Sequence, residues 1–400
     1  MHVYVARQPI FDRKMRVYGY ELFYRGGTKN YFEGIEDNQA TSELINNVFL
    51  TMQLEDLTFG SRAFINFSED LIVKGIPLAL PKDEVVIEIL ERVNPTPEVI
   101  EACKNLKEQG YILALDDFNF NQKYLSLIEL ADIIKVEYGK IDIEVQKRII
   151  KAFKGRTKFL SEKVETREQY KIARDMGYDY FQGYFFSKPI IVKSNERKVL
   201  NTSLLRIATE LNKQFVDFNK ITEICEHDVD LTYKILKISN YVQYGTRYEV
   251  KSIKHALAVL GVDELKKWVY LMMFKDTRDK QNNEVIKNSL IRGKLMELLA
   301  KEAGLGRRSE EYFVTGLFSL IDVLLCKEMK EIVSEIPFSS SIKDALLKDG
   351  SDIAKTLDKI NSFEKAKWDE LQNKGTFNVE NDRFMELYVE ALKWAGEIEL

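Results

Sequence analysis

Two adjacent carboxylates, Asp116 and Asp117, close the run YILALDD at residues 111–117, directly after an apolar stretch. Like charges side by side at the end of a buried strand repel, and a cation between them relieves the repulsion. An Asp pair in that position also serves as a helix N-cap, and taken alone that use is the commoner one. The wider set changes the balance. Polar side chains stand at or near the C-terminal end of nearly every apolar run in the first half: Glu21 in VYGYELFY, Asn66 in RAFINF, Glu88 in VVIEIL, Asp116 and Asp117, Lys135 in IIKVE, Glu162 in KFLSE and Gln182 in YFQGYF. Solvated charges have no reason to recur at one end of successive strands. Carboxylates with amide oxygens and a single lysine make an oxygen-rich set suited to Mg²⁺ or Mn²⁺, and two such ions can hold a phosphoryl group in line.

Those residues need elements to carry them. HVYVA (residues 2–6) and the seven runs above read as strands, and amphipathic stretches such as PEVIEACKNLKEQG and REQYKIARDMG read as helices between them, the latter stopping at Gly177. Eight strands with helical crossovers fit a barrel or a doubly wound sheet. Only a barrel gathers the strand ends around one point, so the expectation is a TIM-like (β/α)8 barrel over residues 1–192. From Val199 the apolar residues recur at helical spacing, as in Leu231, Ile235 and Ile238, and residues 199–400 are expected to form an all-α domain.

Composition narrows the class. The net charge of -4 gives no global basic field for a nucleic-acid polymer or an anionic membrane surface. Cys103, Cys225 and Cys326 are far apart and lack metal-ligand spacing, so they read as reduced structural thiols. The N-terminal stretch MHVYVARQPIFDRK lacks the apolar core of a signal peptide, and no apolar run is long enough to span a bilayer, so the expectation is a cytoplasmic protein.

The first half resembles the EAL domain family of cyclic di-GMP phosphodiesterases, through ARQPIFDRKMRVYGYELFYR, FINFS, IEILE, DDF, the lysine of IIKVE, SEKVE and QGY. The resemblance implies Glu21, Asn66, Glu88, Asp116 and Asp117 as metal ligands and Glu91 as the brace of a loop beside the site. It also implies Lys135 and Glu162 as the residues that position or deprotonate the attacking water, Arg25 on a phosphate oxygen and Gln182 on the substrate side. The product of that chemistry is linear pGpG. Four departures stand out: the family's DDFGTGYSS is DDFNFNQKYLS here, ELTE is EILE with Leu90, AEGVE is SEKVE with Lys163, and the KID aspartate is Glu137.

The second half resembles an HDOD domain, in EICEHDVDLTYKILKISNY, SIKHALAVLGVDELKKW and EYFVTGLFSLIDVLL. Where a metal-dependent HD hydrolase would read GLLHDIG, this chain has GLFSLID, with Ser319 and Leu320 in place of the metal-binding pair. His227 and Asp228 precede a helix, where an aspartate acts as a cap. WVYLMMF (268–274) reads as core, and the charges of GLGRRSEE as a solvated loop. The resemblance implies a non-catalytic module that engages a signalling protein, and a homodimer through the barrel. Two readings stand: a phosphodiesterase regulated by the helical half, or an adaptor that binds cyclic di-GMP or protein partners without hydrolysis.

Overall fold

The computed structural model describes residues 3–26, 54–116, 122–153, 155–184, 201–239, 250, 252–275, 283–325, 327–367 and 379–398. The first half is a closed eight-stranded barrel: β1 (Val3–Asp12), β2 (Val17–Gly26), β3 (Arg62–Phe67), β4 (Val85–Ile89), β5 (Ile112–Leu115), β6 (Ile133–Glu137), β7 (Lys158–Glu162) and β8 (Tyr180–Gln182), each paired with the next and β1 with β8. Strands β2 to β8 run parallel, whereas β1 is antiparallel to both neighbours. The first connection is thus a hairpin and not a βα unit. Asp12 builds it: its carboxylate accepts hydrogen bonds from the Lys14 and Arg16 backbone N–H groups at 2.8 and 2.9 Å, an Asx-type turn.

Helices α1 (Leu54–Thr58), α2 (Glu69–Val73), α3 (Pro97–Glu108), α4 (Leu125–Leu130), α5 (Ile143–Ala152) and α6 (Arg167–Met176) lie between the parallel strands. Their ends follow local chemistry. Thr96, Asp142 and Thr166 cap α3, α5 and α6 through their side-chain oxygens, and α6 stops at Gly177 with φ 111°.

Inside the barrel the alternation of side chains along each strand produces two stacked layers. The lower is apolar: Ile10, Phe64, Val86, Ala114, Ile133 and Leu160, with Tyr18, Ile112 and Tyr180 packed against it. Gly19 fills no space there because the ring of Phe64 would meet a Cβ at 2.8 Å. The upper layer is polar.

By internal contacts the chain divides into two compact units, one of Met1–Lys188, Lys359–Asn373 and Val379–Glu397, the other of Pro189–Asp358 with two short C-terminal pieces. The helical unit holds α7 (Thr202–Leu211), α8 (Phe218–Glu226), α9 (Val229–Ser239), α10 (Ile253–Lys275, interrupted by non-helical backbone at Gly261), α11 (Asn283–Glu302), α12 (Ser309–Phe318), α13 (Ile321–Leu325), α14 (Met329–Glu335), α15 (Ser340–Leu346) and most of α16 (Asp352–Glu364). Its core contains Val269, Tyr270, Met273 and Phe274 of WVYLMMF, with Tyr270 and Phe274 edge-on to Phe318.

The last helix, α17 (Asn381–Glu397), belongs to the barrel unit, although the sequence placed all of residues 199–400 in one domain. Phe384, Leu387, Ala391, Leu392 and Ala395 of α17 are buried, and Lys393 Nζ lies 3.3 Å from Asp56 Oδ2 on α1. A helical period reports that a face will be buried, not which surface will bury it.

Candidate active site

Two residues beyond each apolar layer position, toward the C-terminal ends of β2 to β8, stand Glu21, Asn66, Glu88, Asp116, Lys135, Glu162 and Gln182. On the antiparallel β1 the matching position comes two residues earlier, at Gln8, which pairs in register with Glu21. The centre is Lys135. Its Nζ lies 2.8 Å from Glu88 Oε1, 2.8 Å from Asp116 Oδ1, 2.9 Å from Glu162 Oε1 and 3.1 Å from Glu21 Oε2, and the ammonium is fully buried. Gln182 Nε2 donates to Glu21 Oε2 at 2.6 Å and to Gln8 Oε1 at 2.9 Å, while Asn66 Nδ2 donates to Glu21 Oε1 at 3.3 Å. Gly183 permits this. With φ at 143°, its Cβ would fall 2.1 Å from the Val164 carbonyl oxygen, so any side chain would push Gln182 out of the ring.

Four carboxylates around one ammonium set unusual protonation. Burial raises Glu88 well above the ordinary carboxylate range; the nearby Glu21 charge adds to this and Lys135 opposes it. Burial likewise pushes Glu162 up to about 8, against the pull of Lys135. For Lys135 burial works against the charge, yet Glu162, Glu21, Glu88 and Asp116 outweigh it and hold the ammonium well above the usual lysine value.

Of the expected site residues, Glu21, Asn66, Glu88, Asp116, Lys135, Glu162 and Gln182 come together. Asp117 lies outside the described residues, as does the side chain of Arg25. Glu91 is exposed, and its link to a neighbouring loop runs through its carbonyl, which accepts the Tyr124 hydroxyl at 3.0 Å. Gln182, expected on the substrate side, holds Glu21. Gln8 does not stand out in the sequence, because on an antiparallel strand the residue that joins the ring lies toward the N-terminal end and not the C-terminal end.

Buried oxygens bear on the metal question. Glu88 Oε2 and Gln182 Oε1 are enclosed with no hydrogen-bond partner. Native proteins seldom leave such atoms unsatisfied without a ligand or ion to take them up. The donors, carboxylates and amide oxygens, suit a hard divalent cation in chemistry. In the present arrangement the carboxylates turn onto Lys135, and among the described residues no group of three or more His, Cys, Asp and Glu is poised around a shared empty point.

Comparison with known proteins fixes the family. The EAL domain matches residues 2–189 and the HDOD domain residues 198–348. The chain is 39% identical over 407 residues to the uncharacterized protein YuxH of Bacillus subtilis, covering 100% of this chain and 99% of that one. It is 32% identical over 402 residues to the cyclic di-GMP phosphodiesterase CdgJ of Vibrio cholerae, covering 99% of this chain and 93% of that one. The chain belongs to the EAL–HDOD proteins. Two solved structures are also similar to the barrel: a manganese and cyclic di-GMP complex of Klebsiella pneumoniae BlrP1 (22% identity, TM-score 0.39, 46% of this chain and 55% of that one) and the EAL domain of Mycobacterium smegmatis DcpA (20%, 0.38, 47% and 93%).

The HDOD half of this EAL–HDOD protein uses its candidate metal positions structurally. Ser319 Oγ accepts from Arg292 Nη1 at 3.0 Å and donates to the Gly316 carbonyl at 2.7 Å. Asp228 caps α9 through the Leu231 N–H at 3.0 Å, and His227 is exposed with Nδ1 2.7 Å from the Glu223 carbonyl. Cys103 and Cys225 are buried thiols raised to about 12 by burial, too high for reactive thiolates; Cys326 lies outside the described residues. Among the described residues no helix is long and apolar enough to cross a membrane.

Proposed function

We propose that the EAL barrel of this protein hydrolyses cyclic di-GMP to linear pGpG with a divalent metal, Mg²⁺ or Mn²⁺ in up to two sites, and that the HDOD half couples this state to a protein partner in a cytoplasmic signalling pathway. The observation that carries the reading is that Glu88 Oε2 and Gln182 Oε1 are buried without a hydrogen-bond partner inside an oxygen-rich ring drawn from successive strands. Glu21, Asn66, Glu88, Asp116 and Asp117 are the residues that would hold the metal. When bound, it supplies charge stabilisation at a phosphoryl oxygen and a water of lowered pKa.

The chain's own residues do the rest. Glu162, near 8, exchanges a proton within the neutral range, which suits a group that takes a proton from the attacking water. Lys135 keeps its charge throughout and steadies that water and the carboxylates around it. Water adds at phosphorus, one P–O bond to a ribose oxygen breaks, and the leaving oxygen takes up a proton. Gln182 and Gln8 fix the orientation of Glu21, and Arg25 is assigned to a phosphate oxygen.

A second reading is a binding-only adaptor, and a specific observation favours it: Lys135 Nζ fills the point on which the carboxylates converge. One experiment separates the two. The purified chain is incubated with cyclic di-GMP and excess Mg²⁺ or Mn²⁺, pGpG is followed by chromatography, and Glu21→Ala is run beside it. Metal-dependent pGpG that vanishes in the variant supports hydrolysis; no product with calorimetric binding of the dinucleotide supports the adaptor. Two copies pair through the barrel in this reading, and the sedimentation mass of the purified chain tests it.

A further inference from the structure

At the rim above the carboxylate ring, β6 ends in Glu137 and β7 is followed at once by Lys163. Lys163 has φ 52°, a conformation that disfavours any residue with a Cβ. Its neighbours impose that conformation. The Glu162 carbonyl accepts from the Tyr138 N–H at 3.0 Å, and the Val164 N–H donates to the Gln182 carbonyl at 3.0 Å, so both flanks of Lys163 are tied to adjacent strands. Glycine would occupy this turn without strain, so the lysine is kept there at a conformational cost. Its Nζ lies 2.9 Å from Glu137 Oε2, and the side chain is 65% exposed. Lys140 Nζ also approaches that carboxylate, at 3.7 Å. Glu137 lies on the inward face two residues beyond Lys135, in register with Glu162.

The carboxylates of the ring supply no attraction of their own for a phosphodiester, and a cationic side chain at the mouth adds to the attraction that the ammonium and a bound metal provide. Building on the cyclic di-GMP reading above, we propose that Lys163 is a specificity residue of the barrel, parked on Glu137 in the free protein and transferred to a ligand phosphate on binding. Glu137 then acts as the brake: it holds the lysine over the mouth and competes with the phosphate for it. Both residues are positioned by strand ends, so the exchange needs only a side-chain rotation. A bound phosphate gains a charge-assisted hydrogen bond, and Glu137 retains Lys140 after the exchange.

The test is an equilibrium titration of the full chain with cyclic di-GMP in Mg²⁺, in a Glu162→Gln background so that the complex persists. Lys163→Gly is expected to weaken binding about tenfold, the size of one lost charge-assisted hydrogen bond, and to flatten its salt dependence. Lys163→Met separates charge from strain and is expected to weaken binding to the same degree. Glu137→Gln releases the lysine and is expected to tighten binding several-fold. Lys163→Gly should also melt about 2–4 °C higher, because the turn is relaxed, which shows that its weaker binding is not misfolding. Binding by the parent with all three variants within twofold of it overturns this inference alone. No binding by the parent overturns both this inference and the cyclic di-GMP reading beneath it.

Discussion

Replacing Lys135 by methionine removes the one cation from a buried ring and leaves its four carboxylates facing each other. The side-chain volume is nearly conserved, so the effect is electrostatic. Nζ is within 3.1 Å of all four acids, and Lys135 and Glu88 are fully buried. Removing one partner from such a site typically costs about 3–5 kcal/mol, because the remaining charge stays buried without compensation. For a unit of this size that is a fall in Tm of roughly 6–20 °C. The pH dependence has a definite sign. Glu88 and Glu162 already have folded pKa values above their unfolded ones, and loss of the lysine raises them further. Groups raised in this way favour the fold below the unfolded value, about 4.5, and lose that contribution as pH rises through the folded value. The deficit of Lys135→Met should therefore be small near pH 4.5 and grow steadily through pH 8. Thermal unfolding followed by circular dichroism from pH 4.5 to 8.5 measures it. A variant as stable as the parent at pH 8, or a deficit that does not change with pH, would refute the view of Lys135 as the counter-ion of the ring.

Three other expectations rest on separate parts of the molecule. In the HDOD half, burial alone would raise Glu297, but Lys267 and Lys294 pull it down to about 2, with Lys267, Lys301 and Lys294 at 2.6, 2.8 and 3.2 Å. Its folded pKa is depressed, so its contribution, about 3 kcal/mol, is present above pH 4.5 and lost as pH falls toward 2, and Glu297→Gln should remove most of it in urea unfolding at pH 7. Gly183→Ala, whose Cβ has no room beside Val164, should abolish pGpG formation and lower the barrel's Tm even though it lies outside the carboxylate set. A chain ending before Asn381 loses the buried face of α17 and should unfold its barrel at least about 3 kcal/mol more easily, as judged by denaturant midpoints of the barrel signal.

The polar ring was legible in the sequence for a physical reason. Side chains alternate along a strand, and in parallel strands the same end always faces the same mouth, so Glu21, Asn66, Glu88, Asp116, Lys135, Glu162 and Gln182 could be read as one set from their places in seven apolar runs. The caps at Asp228 and Gly177 were legible because they depend only on near neighbours. The family resemblance supplied roles that spacing alone does not.

The rest depended on which surfaces meet. Strand direction made Gln8 a member of the ring, since only pairing with β2 and β8 shows that β1 runs the other way. The sequence marks Lys135 as the single lysine of the set, but only the closed barrel places its ammonium among four acids. Glu137 and Lys163 stood out singly in the sequence, but their pairing required β6 and β7 to be neighbours. The partner of α17 was likewise open, because an amphipathic helix specifies an apolar face and leaves the matching surface to the folded chain. Local pattern determined the elements and the chemical character of the site; long-range pairing decided its centre, its missing member and the charge at its mouth.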